Sequence, residues 1–414
     1  MTEQFVIVGA GLAGAKAAET LRAEGFAGRI VLIGEETDRP YERPPLSKGH
    51  LLGTANLDAA FVHDSDWYAA HDVELRTGTA VESIDRTNGA VVLADGGRVT
   101  YDRLLLATGS SPRKLDLPGA DLGGVLYLRT MTDSENLAKR LVDGAHVVVI
   151  GGGWIGLEVA AAARSHGSSV TIVEMTALPL LRVLGAQVAR VFQAVHEAHG
   201  VTFRCSSGVR ELRGDGDVRS VVLTDGTELP ADLVVAGVGI LPNVALAAVA
   251  GLGGGNGIET DAALCTSDSR IFAAGDVALS HNPLLGRSIR VEHWANALNG
   301  GPAAARSMIG QPVSYDRVPY FFSDQYDLGL EYSGYVEPGG YDLVVFRGST
   351  EIVDGKAPEF VAFWLSGGRV LAGMNVNIWD AQDDIQRLVR AGYAGTAVDP
   401  AALADPSRPL AELG

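Results

Sequence analysis

Two glycine-rich segments of the sequence have the spacing that binds the phosphates of a dinucleotide. They read GAGLAG at residues 9–14 and GGGWIG at residues 151–156. In a GxGxxG turn the first glycine makes the turn, the second lets the backbone approach a pyrophosphate, and the third lets helix and strand pack closely. The helix N-terminus that follows presents free N–H groups and a positive dipole to the phosphates. The predicted phosphate-binding glycines are Gly9, Gly11 and Gly14 in the first segment and Gly151, Gly153 and Gly156 in the second.

An acidic residue follows each glycine-rich segment at the distance typical of ribose recognition. Glu35 lies 21 residues past Gly14, and Glu174 lies 18 residues past Gly156, against about 20 in the dinucleotide-binding motif. Small-residue turns also occur for helix packing alone, but two turns with correctly placed acids are far more specific. We therefore predict that both carboxylates bind ribose hydroxyls. Glu174 is also predicted to favour NADH, because a carboxylate repels a 2′-phosphate.

Two nucleotide sites in one chain suggest one nucleotide that stays bound and one that exchanges, and a flavin with a nicotinamide fits that arrangement. Three charged residues then have two interpretations each. Asp276, which is predicted to open a helix after an Ala-Gly turn, either accepts a hydrogen bond from a flavin ribityl hydroxyl or is a helix N-cap. Lys48, in YERPPLSK, lies beside the flavin ring or in an exposed loop. Glu158 pairs with Lys48 or complements a helix dipole.

Composition excludes several other classes of protein. The 414 residues are 47% hydrophobic with a net charge of −17, which indicates a globular protein and disfavours nucleic acid and anionic membranes as partners. The two cysteines, Cys205 and Cys265, form no CxxC pair, so a dithiol centre is not expected. We also expect no metal site, because His63 and His71 fit no metal-ligand spacing. No apolar run has the length of a membrane span, and the first strand starts at Phe5, so we expect a cytoplasmic protein.

The chain contains two copies of one domain. Each glycine turn lies between apolar runs typical of parallel strands covered on both faces. Further on, VVLADGGRVTYDRLLLATG, ending at Gly109, aligns without a gap with VVLTDGTELPADLVVAGVG, ending at Gly239. Each segment predicts a hairpin with an Asp-Gly turn followed by a buried strand. The predicted strands beside the turns are Phe5–Val8, Arg29–Ile33, His146–Ile150 and Ser169–Val173, with helices ending near Glu24 and His166.

The remaining segments complete the predicted architecture. RIFAAGDVALS at residues 270–280 returns the chain to the first domain, and residues 291–310 predict a helix, whereas residues 251–259 predict a flexible loop. From Val318 apolar and polar residues alternate as in an antiparallel sheet, followed by a helix near residues 380–392. We predict an α/β fold with two duplicated Rossmann-like domains and a C-terminal α+β domain. The predicted domains are residues 1–112 with 240–317 for FAD, residues 113–239 for NADH, and residues 318–414.

Seven motifs together resemble the FAD-containing, NADH-dependent ferredoxin reductases of the putidaredoxin reductase type, within the glutathione-reductase structural class. The motifs are VGAGLAG, YERPPLSK, LLLATGSSPR, IGGGWIGLE, GVGILPN, IFAAGDVA and PYFFSDQYDLGL. The resemblance implies FAD contacts at Ala13, Glu35, Arg43, Lys48, Val81, Arg129, Asp276 and Trp294, and Ala107 in LLLATGSSPR joins this predicted cofactor-binding set. It implies NADH contacts at Gly153, Ile155, Glu158, Glu174 and Gly239.

The resemblance also distinguishes branches of the class. Disulfide reductases carry a cysteine pair where this chain has RPPLSK, and relatives often carry Trp where it has Phe322. The implied function is hydride transfer from NADH to FAD and single-electron transfer to a two-iron, two-sulfur ferredoxin, which serves a haem-thiolate monooxygenase or Rieske dioxygenase. The alternatives are direct reduction of oxygen, a quinone or ascorbyl radical, and an NADH-sensing binding protein of the apoptosis-inducing-factor type. We expect a monomer or weak homodimer with Lys48 and Glu158 as catalytic residues.

Ferredoxins of this type are usually acidic. A chain of net charge −17 therefore needs a local positive surface to bind one. The best candidate runs from His281 to Arg317, with four arginines against two acidic residues. Scattered solubilising charge is the alternative. The arginines of this predicted basic patch are Arg287, Arg290, Arg306 and Arg317.

Overall fold

A computed structural model describes residues 3–414, within which the chain forms ten α-helices and 26 β-strands. The helices are α1 Leu12–Ala23, α2 Pro44–Ser47, α3 Trp67–Ala70, α4 Met131–Ala138, α5 Trp154–Ser165, α6 Leu181–Ala198, α7 Ala245–Val249, α8 Trp294–Met308, α9 Gln382–Tyr393 and α10 Pro400–Ala404. None of these helices is long and apolar enough to cross a membrane.

The strands are short and distributed along the whole chain. They are β1 Gln4–Val8, β2 Arg29–Ile33, β3 Val73–Arg76, β4 Val81–Asp85, β5 Ala90–Leu93, β6 Arg98–Thr100, β7 Arg103–Leu106, β8 Ser110–Pro112, β9 Val125–Leu126, β10 His146–Ile150, β11 Ser169–Val173, β12 Val201–Arg204, β13 Val209–Asp215, β14 Asp217–Leu223, β15 Glu228–Pro230, β16 Leu233–Ala236, β17 Ile240–Pro242, β18 Ile258–Thr260, β19 Ile271–Ala273, β20 Ala278–Asn282, β21 Arg287–Arg290, β22 Tyr320–Gln325, β23 Leu328–Gly334, β24 Leu343–Ser349, β25 Glu359–Ser366 and β26 Arg369–Val376.

The chain divides into two compact units. The first comprises the described residues up to Glu42, with Asp58–Ser111 and Ile240–Pro319, and the second comprises Arg43–Leu57, Pro112–Gly239 and Tyr320–Gly414. The three predicted domains with their boundaries stay a prediction. In the two-unit division the C-terminal sheet belongs to the second unit, and so does Arg43–Leu57, which lies within residues 1–112.

Local contacts explain why Arg43–Leu57 belongs to the second unit. The Ser134 hydroxyl on α4 donates a 2.7 Å hydrogen bond to the Leu46 carbonyl. The ring Nε2 of His166, just after α5, lies 2.5 Å from the Leu51 carbonyl oxygen, and Leu51 itself is buried in the second unit's core. These contacts join the segment to residues about a hundred positions further along the chain.

A five-stranded parallel sheet in the order β19-β7-β1-β2-β3 forms the centre of the first unit. Val6 on β1 pairs with Val31 and Leu104, and all three are fully buried. The helices α1 and α8 both bury alanine-rich faces in the core beside this sheet. The predicted parallel arrangement of continuous apolar strands is therefore confirmed.

The second unit contains a matching parallel sheet in the order β12-β11-β10-β16-β9. One detail of the repeat shows how closely the two copies correspond. The Asp102 carboxylate accepts a 2.7 Å hydrogen bond from the Gln4 N–H at the start of β1, and the Asp232 carboxylate accepts a 2.9 Å bond from the His146 N–H at the start of β10. In both copies, an aspartate after the Asp-Gly hairpin is therefore hydrogen-bonded to the start of the domain's first strand.

The C-terminal residues form a five-stranded antiparallel sheet in the order β22-β23-β26-β25-β24, with α9 packed against it. This sheet confirms the predicted change of architecture after Val318. One local expectation was wrong: Gly275–Val277 is a single 3₁₀ turn, not the start of a longer helix. The chain leaves that turn at once because Ala278–Asn282 pairs in a sheet with β18 and β21.

Candidate functional site

The three glycines of the first turn have three different surroundings. Gly9 adopts φ +114°, and a Cβ on it would lie 2.1 Å from the Ala107 carbonyl oxygen. A Cβ on Gly14 would lie 2.1 Å from the Gly9 carbonyl oxygen, whereas a Cβ on Gly11 would meet nothing within 4 Å. The first and third glycines are therefore required by backbone packing, and the second faces the open space that a pyrophosphate needs.

The second turn repeats this arrangement in the second unit. A Cβ on Gly151 would lie 2.4 Å from the Gly237 carbonyl oxygen, and one on Gly156 would lie 2.1 Å from the Gly151 carbonyl oxygen. Gly153, the N-cap of α5, again faces open space. Gly239 is likewise open and adopts φ +101°, which an L-residue rarely adopts. These surroundings are those that the motif requires at its three glycines, and the nucleotide contacts of the glycines stay predictions.

The two predicted ribose acids differ in how they are held. Glu35 is exposed and lies two residues past the end of β2. Glu174 directly follows β11, and its Oε2 accepts a 2.7 Å hydrogen bond from the Gly152 N–H. Its Oε1 accepts hydrogen bonds from the Thr176 N–H at 2.7 Å and from the Thr176 hydroxyl at 2.8 Å. The Glu174 carboxylate is therefore held against the glycine turn, which is where the motif places the adenosine ribose.

Lys48 and Glu158 meet as a buried ion pair within the second unit. The Lys48 Nζ lies 2.7 Å from Glu158 Oε1, and the two side chains are 15% and 4% exposed. The Ser47 hydroxyl donates to Glu158 Oε2 at 2.5 Å, and the Ser323 hydroxyl donates to Oε1 at 2.6 Å. Glu158 is thus a buried carboxylate with three donors. Glu158 lies beyond the first turn of α5, so the structure favours the ion pair over the dipole-complementing interpretation. Lys48 is not an exposed loop lysine.

Ser47 and Ser323 are functional candidates that the sequence interpretation missed. Ser47 is the last residue of α2, next to Lys48, and Ser323 lies on β22 with its side chain directed inward. The adjacent Phe322 ring centroid is 5.3 Å from Lys48 Nζ, at the distance of a cation–π contact. The alternation of apolar and polar residues along PYFFSDQYDLGL could have identified Ser323, because it places this residue on the buried face of the strand.

Asp276 and Trp294 lie in the first unit, each with a polar partner. The Ser110 hydroxyl donates a 2.7 Å hydrogen bond to Asp276 Oδ2. Asp276 is the second residue of its 3₁₀ turn, whose N-cap is Ala274, so the simple N-cap interpretation of Asp276 was wrong. Trp294 begins α8, and its indole N–H donates a 3.0 Å hydrogen bond to Glu42 Oε2.

The other predicted cofactor contacts are divided between the two units. Arg43 and Arg129 lie in the second unit, where the Arg43 guanidinium donates to the Arg129 carbonyl oxygen. Ala13 and Ala107 are buried in the first unit, and Val81 begins β4 there. Ile155, the second residue of α5, is 42% exposed. The roles of these residues stay predictions.

Comparison with known protein families gives this arrangement a context. Residues 3–301 match the family described as pyridine nucleotide-disulphide oxidoreductase. The chain belongs to this family. Residues 320–414 match the reductase C-terminal family, which covers the antiparallel sheet of this oxidoreductase.

Individual relatives are similar over the full length of the oxidoreductase. This chain is 42% identical over 407 residues to the anthranilate 1,2-dioxygenase system ferredoxin–NAD(+) reductase component of Burkholderia cepacia. The match covers 98% of both chains. The chain is 39% identical over 417 residues to a putidaredoxin reductase of Pseudomonas putida, covering 99% and 96%. The reductase in a crystal structure of a covalent putidaredoxin reductase–putidaredoxin complex matches with a TM-score of 0.92 and 39% identity, covering 99% and 97%. These matches confirm the predicted resemblance and fold class.

The predicted cofactors, FAD and NADH, are those of this family. The open space in front of Gly11 and Gly153 fits a pyrophosphate at each turn. The two cysteines, Cys205 and Cys265, are free and lie in different units, and burial raises the pKa of each thiol. Among residues 3–414, no group of three or more His, Cys, Asp and Glu side chains is placed to hold a metal ion.

Two alanine substitutions in the second turn should separate binding from folding. Gly153→Ala adds a methyl group in open space, and its backbone angles of −84° and −179° suit alanine. We expect normal stability and a Michaelis constant for NADH raised about tenfold, corresponding to about 1.4 kcal/mol. Gly156→Ala forces a Cβ against the Gly151 carbonyl and should lower the free energy of unfolding by about 1–3 kcal/mol.

Thermal unfolding and NADH titration of both purified variants measure these effects. An unchanged Michaelis constant in Gly153→Ala would contradict the assignment of this turn to NADH. Gly11→Ala, the matched change in the first turn, is the control, since it should leave the NADH constant unchanged and weaken FAD retention instead.

Proposed function

We propose that this oxidoreductase transfers hydride from NADH to FAD and passes the electrons singly to a two-iron, two-sulfur ferredoxin of an oxygenase system. The observation that carries the proposal is the presence of two glycine turns, each with open space at its second glycine. The relatives named as reductase components for a ferredoxin and for putidaredoxin support the choice of acceptor.

Each glycine turn is proposed to hold one of the two cofactors. For FAD the first unit supplies the N-terminus of α1 at Gly11, the carboxylate of Glu35 and the side chain of Asp276. For NADH the second unit supplies the N-terminus of α5 at Gly153 and the carboxylate of Glu174. The rate of hydride transfer is determined mainly by how the two nucleotides are positioned, because the step needs no side chain to act as acid or base.

Lys48 and Glu158 are the proposed catalytic residues. Bound FAD supplies the chemistry that accepts two electrons as hydride and releases them one at a time. Lys48 is proposed to contact the flavin ring and to stabilise the negative charge that reduction creates. Glu158 holds the ammonium group at 2.7 Å. Burial of the pair strengthens both interactions, since a low dielectric increases the attraction between charges.

The experiment that tests the proposed function is steady-state oxidation of NADH with and without candidate acceptors. A two-iron, two-sulfur ferredoxin should increase NADH oxidation well above the rate with oxygen, a quinone or ascorbyl radical. Equal rates with and without ferredoxin would favour direct reduction of a small acceptor. Very slow turnover with every acceptor, together with tight NADH binding, would favour an NADH-sensing role. A cytoplasmic location and a monomer or weak homodimer complete the proposal.

The fold changes the expectation for the ferredoxin-docking surface. The Arg306 guanidinium lies 2.8 Å from the Glu24 carboxylate, and Arg290 pairs with Glu292. Counting residues 281–317 alone therefore overstated the positive charge of the predicted basic patch, because Glu24 lies outside that range. Arg317 is exposed, so it is now the better position for a charge-reversal test than Arg306.

Reversing the charge at Arg317 should weaken ferredoxin reduction and leave NADH use unchanged. We expect Arg317→Glu to raise the apparent Michaelis constant for ferredoxin several-fold, roughly the effect of about 1 kcal/mol. Added salt should slow ferredoxin reduction in the unmodified protein, because the Debye length falls to roughly 3 Å near 1 M. Stopped-flow hydride transfer from NADH, measured in parallel, should be nearly independent of salt.

Arg306→Glu is the matched comparison for this test. It also removes the ion pair with Glu24, so a loss of stability accompanies it, whereas Arg317→Glu should be neutral for stability. If salt and both reversals leave ferredoxin reduction unchanged, docking is mainly apolar and the predicted basic patch is the wrong surface.

A further inference from the structure

A line of buried polar side chains extends from Glu158 into the core of the second unit. Ser323 and Gln325 alternate on β22 with their side chains inward, and both are at most 2% exposed. Beyond them lies His196 on α6, which is fully buried. Polar side chains at such positions destabilise a core unless each one is hydrogen-bonded, so their arrangement needs an explanation.

The Glu158 carboxylate determines the direction of every hydrogen bond in this line. An ionised carboxylate only accepts, so the Ser323 hydroxyl donates to Glu158 Oε1 at 2.6 Å. The Ser323 oxygen is then left to accept from the Gln325 side-chain NH₂ at 3.1 Å. The Gln325 carbonyl oxygen consequently faces His196 Nε2 at 2.8 Å, and this ring nitrogen must carry the proton.

The far end of the line is consistent with the same direction. His196 Nδ1 lies 3.3 Å from the Tyr326 hydroxyl, which donates to it because Nδ1 carries the lone pair in the Nε2–H tautomer. Burial raises the pKa of Tyr326, which keeps that hydroxyl protonated. Burial also lowers the pKa of His196 to about 4, so its ring is neutral at physiological pH.

We propose that Gln325 and Ser323 are positioning residues, which form with His196 a one-directional hydrogen-bond relay that orients the Glu158 carboxylate toward Lys48. This inference rests on the proposed function, in which Lys48 contacts the flavin. Each hydrogen bond in such a chain polarises the next. The relay therefore strengthens the hydrogen bond that the Ser323 hydroxyl donates to Glu158 Oε1. That oxygen is the one that also accepts from Lys48 Nζ.

The relay predicts a kinetic effect that disappears when its target is removed. In the FAD-loaded full chain, Gln325→Leu and the milder Ser323→Ala should each slow the limiting rate of flavin reduction by NADH by about fivefold. In a Glu158→Gln background the same substitutions should have almost no further effect, because residues that act through one group are not additive.

Matched controls distinguish the relay from general damage to the core. Ser333→Ala and Asn375→Leu remove a buried hydroxyl and a buried amide from β23 and β26 of the same sheet. Neither residue hydrogen-bonds to the relay: Ser333 accepts from Gln382, and the Asn375 amide donates to Glu331 and to the Ile378 carbonyl. Both controls should leave the limiting rate unchanged even where they lower the unfolding temperature.

A spectroscopic measurement tests the direction of the relay without turnover. Nitrogen NMR of the histidine side chains should show His196 neutral and protonated on Nε2 at pH 7, and Gln325→Leu should abolish that single-tautomer signal. An Nδ1–H tautomer in the unmodified protein would overturn the proposal. Equal slowing by Gln325→Leu in both backgrounds would overturn it as well.

The same set of variants separates failure of the relay from failure of the proposed function. If Glu158→Gln slows flavin reduction but Gln325→Leu and Ser323→Ala do not, the relay is wrong and the role of the ion pair stands. If Glu158→Gln itself leaves the rate unchanged, the proposed catalytic role of the pair is wrong, and the relay is overturned with it.

Discussion

Replacing Lys48 with alanine should slow the reduction of bound flavin by NADH roughly ten- to hundredfold, the effect of losing a charged hydrogen bond of about 1.5–3 kcal/mol. In the unmodified chain the Lys48 ammonium lies 2.7 Å from Glu158 in a buried site. Without it, the Glu158 carboxylate remains buried with no cation to balance it, and its negative charge opposes the arrival of hydride. Stopped-flow bleaching of the flavin after mixing with NADH measures this rate directly.

Two comparisons make the Lys48 result specific. Lys16→Ala removes a lysine that is also ion-paired, to Glu19, but half-buried on α1, and it should have no effect on flavin reduction. Lys48→Ala combined with Glu158→Gln should recover part of the stability lost in Lys48→Ala, because the unpaired buried charge is gone. A normal bleaching rate together with a normal flavin potential in Lys48→Ala would contradict the role proposed for this residue.

The unmodified oxidoreductase should prefer NADH to NADPH by about 2 kcal/mol, roughly thirtyfold in kcat/KM. The reason is the fixed position of the Glu174 carboxylate, which accepts hydrogen bonds from the Gly152 and Thr176 N–H groups beside the glycine turn. We expect a carboxylate held there to bind ribose hydroxyls and to repel a 2′-phosphate. Glu174→Arg should abolish the preference, as measured by kcat/KM for each coenzyme with a fixed ferredoxin concentration.

The structure adds a refinement to this prediction. Arginine does not accept the hydrogen bonds that Glu174 now accepts, so Glu174→Arg should lower kcat/KM for NADH more than it raises the value for NADPH. Glu174→Gln keeps an acceptor and removes the charge, so it should narrow the preference with a smaller loss of NADH activity. Glu35→Gln, the corresponding change in the first repeat, should leave coenzyme preference unchanged. Equal efficiency with both coenzymes in the unmodified protein would refute the assignment.

Much of this molecule was predictable because the signals are local. A GxGxxG turn needs glycine where a Cβ would collide, as at Gly9 and Gly14, and where a ligand approaches, as at Gly11. Continuous apolar runs predict parallel strands covered on both faces, and β1 and β10 agree within a residue with the predicted bounds. The gap-free internal repeat aligns Asp102 with Asp232, and both carboxylates accept a backbone hydrogen bond at the start of a central strand.

Other features depend on residues that only packing brings together. Ser47 and Ser323 lie 111 and 165 positions from Glu158 in the sequence, yet both donate to its carboxylate. Similarly, Glu24 approaches Arg306 across 282 positions and reduces the charge of the predicted basic patch. No periodicity or spacing encodes such pairings, because they depend on which helix lies against which strand.

The amino-acid sequence by itself therefore determined the two glycine-rich turns, the acidic residues that follow them, the parallel and antiparallel sheets and the family. These follow from backbone geometry and from the burial of apolar residues within short segments. Tertiary structure alone decided that Arg43–Leu57 belongs with the second unit and that Lys48 and Glu158 form a pair with buried donors around it. The physical reason is that a buried charge is stable only where several distant donors converge, and that convergence is a property of the packed fold.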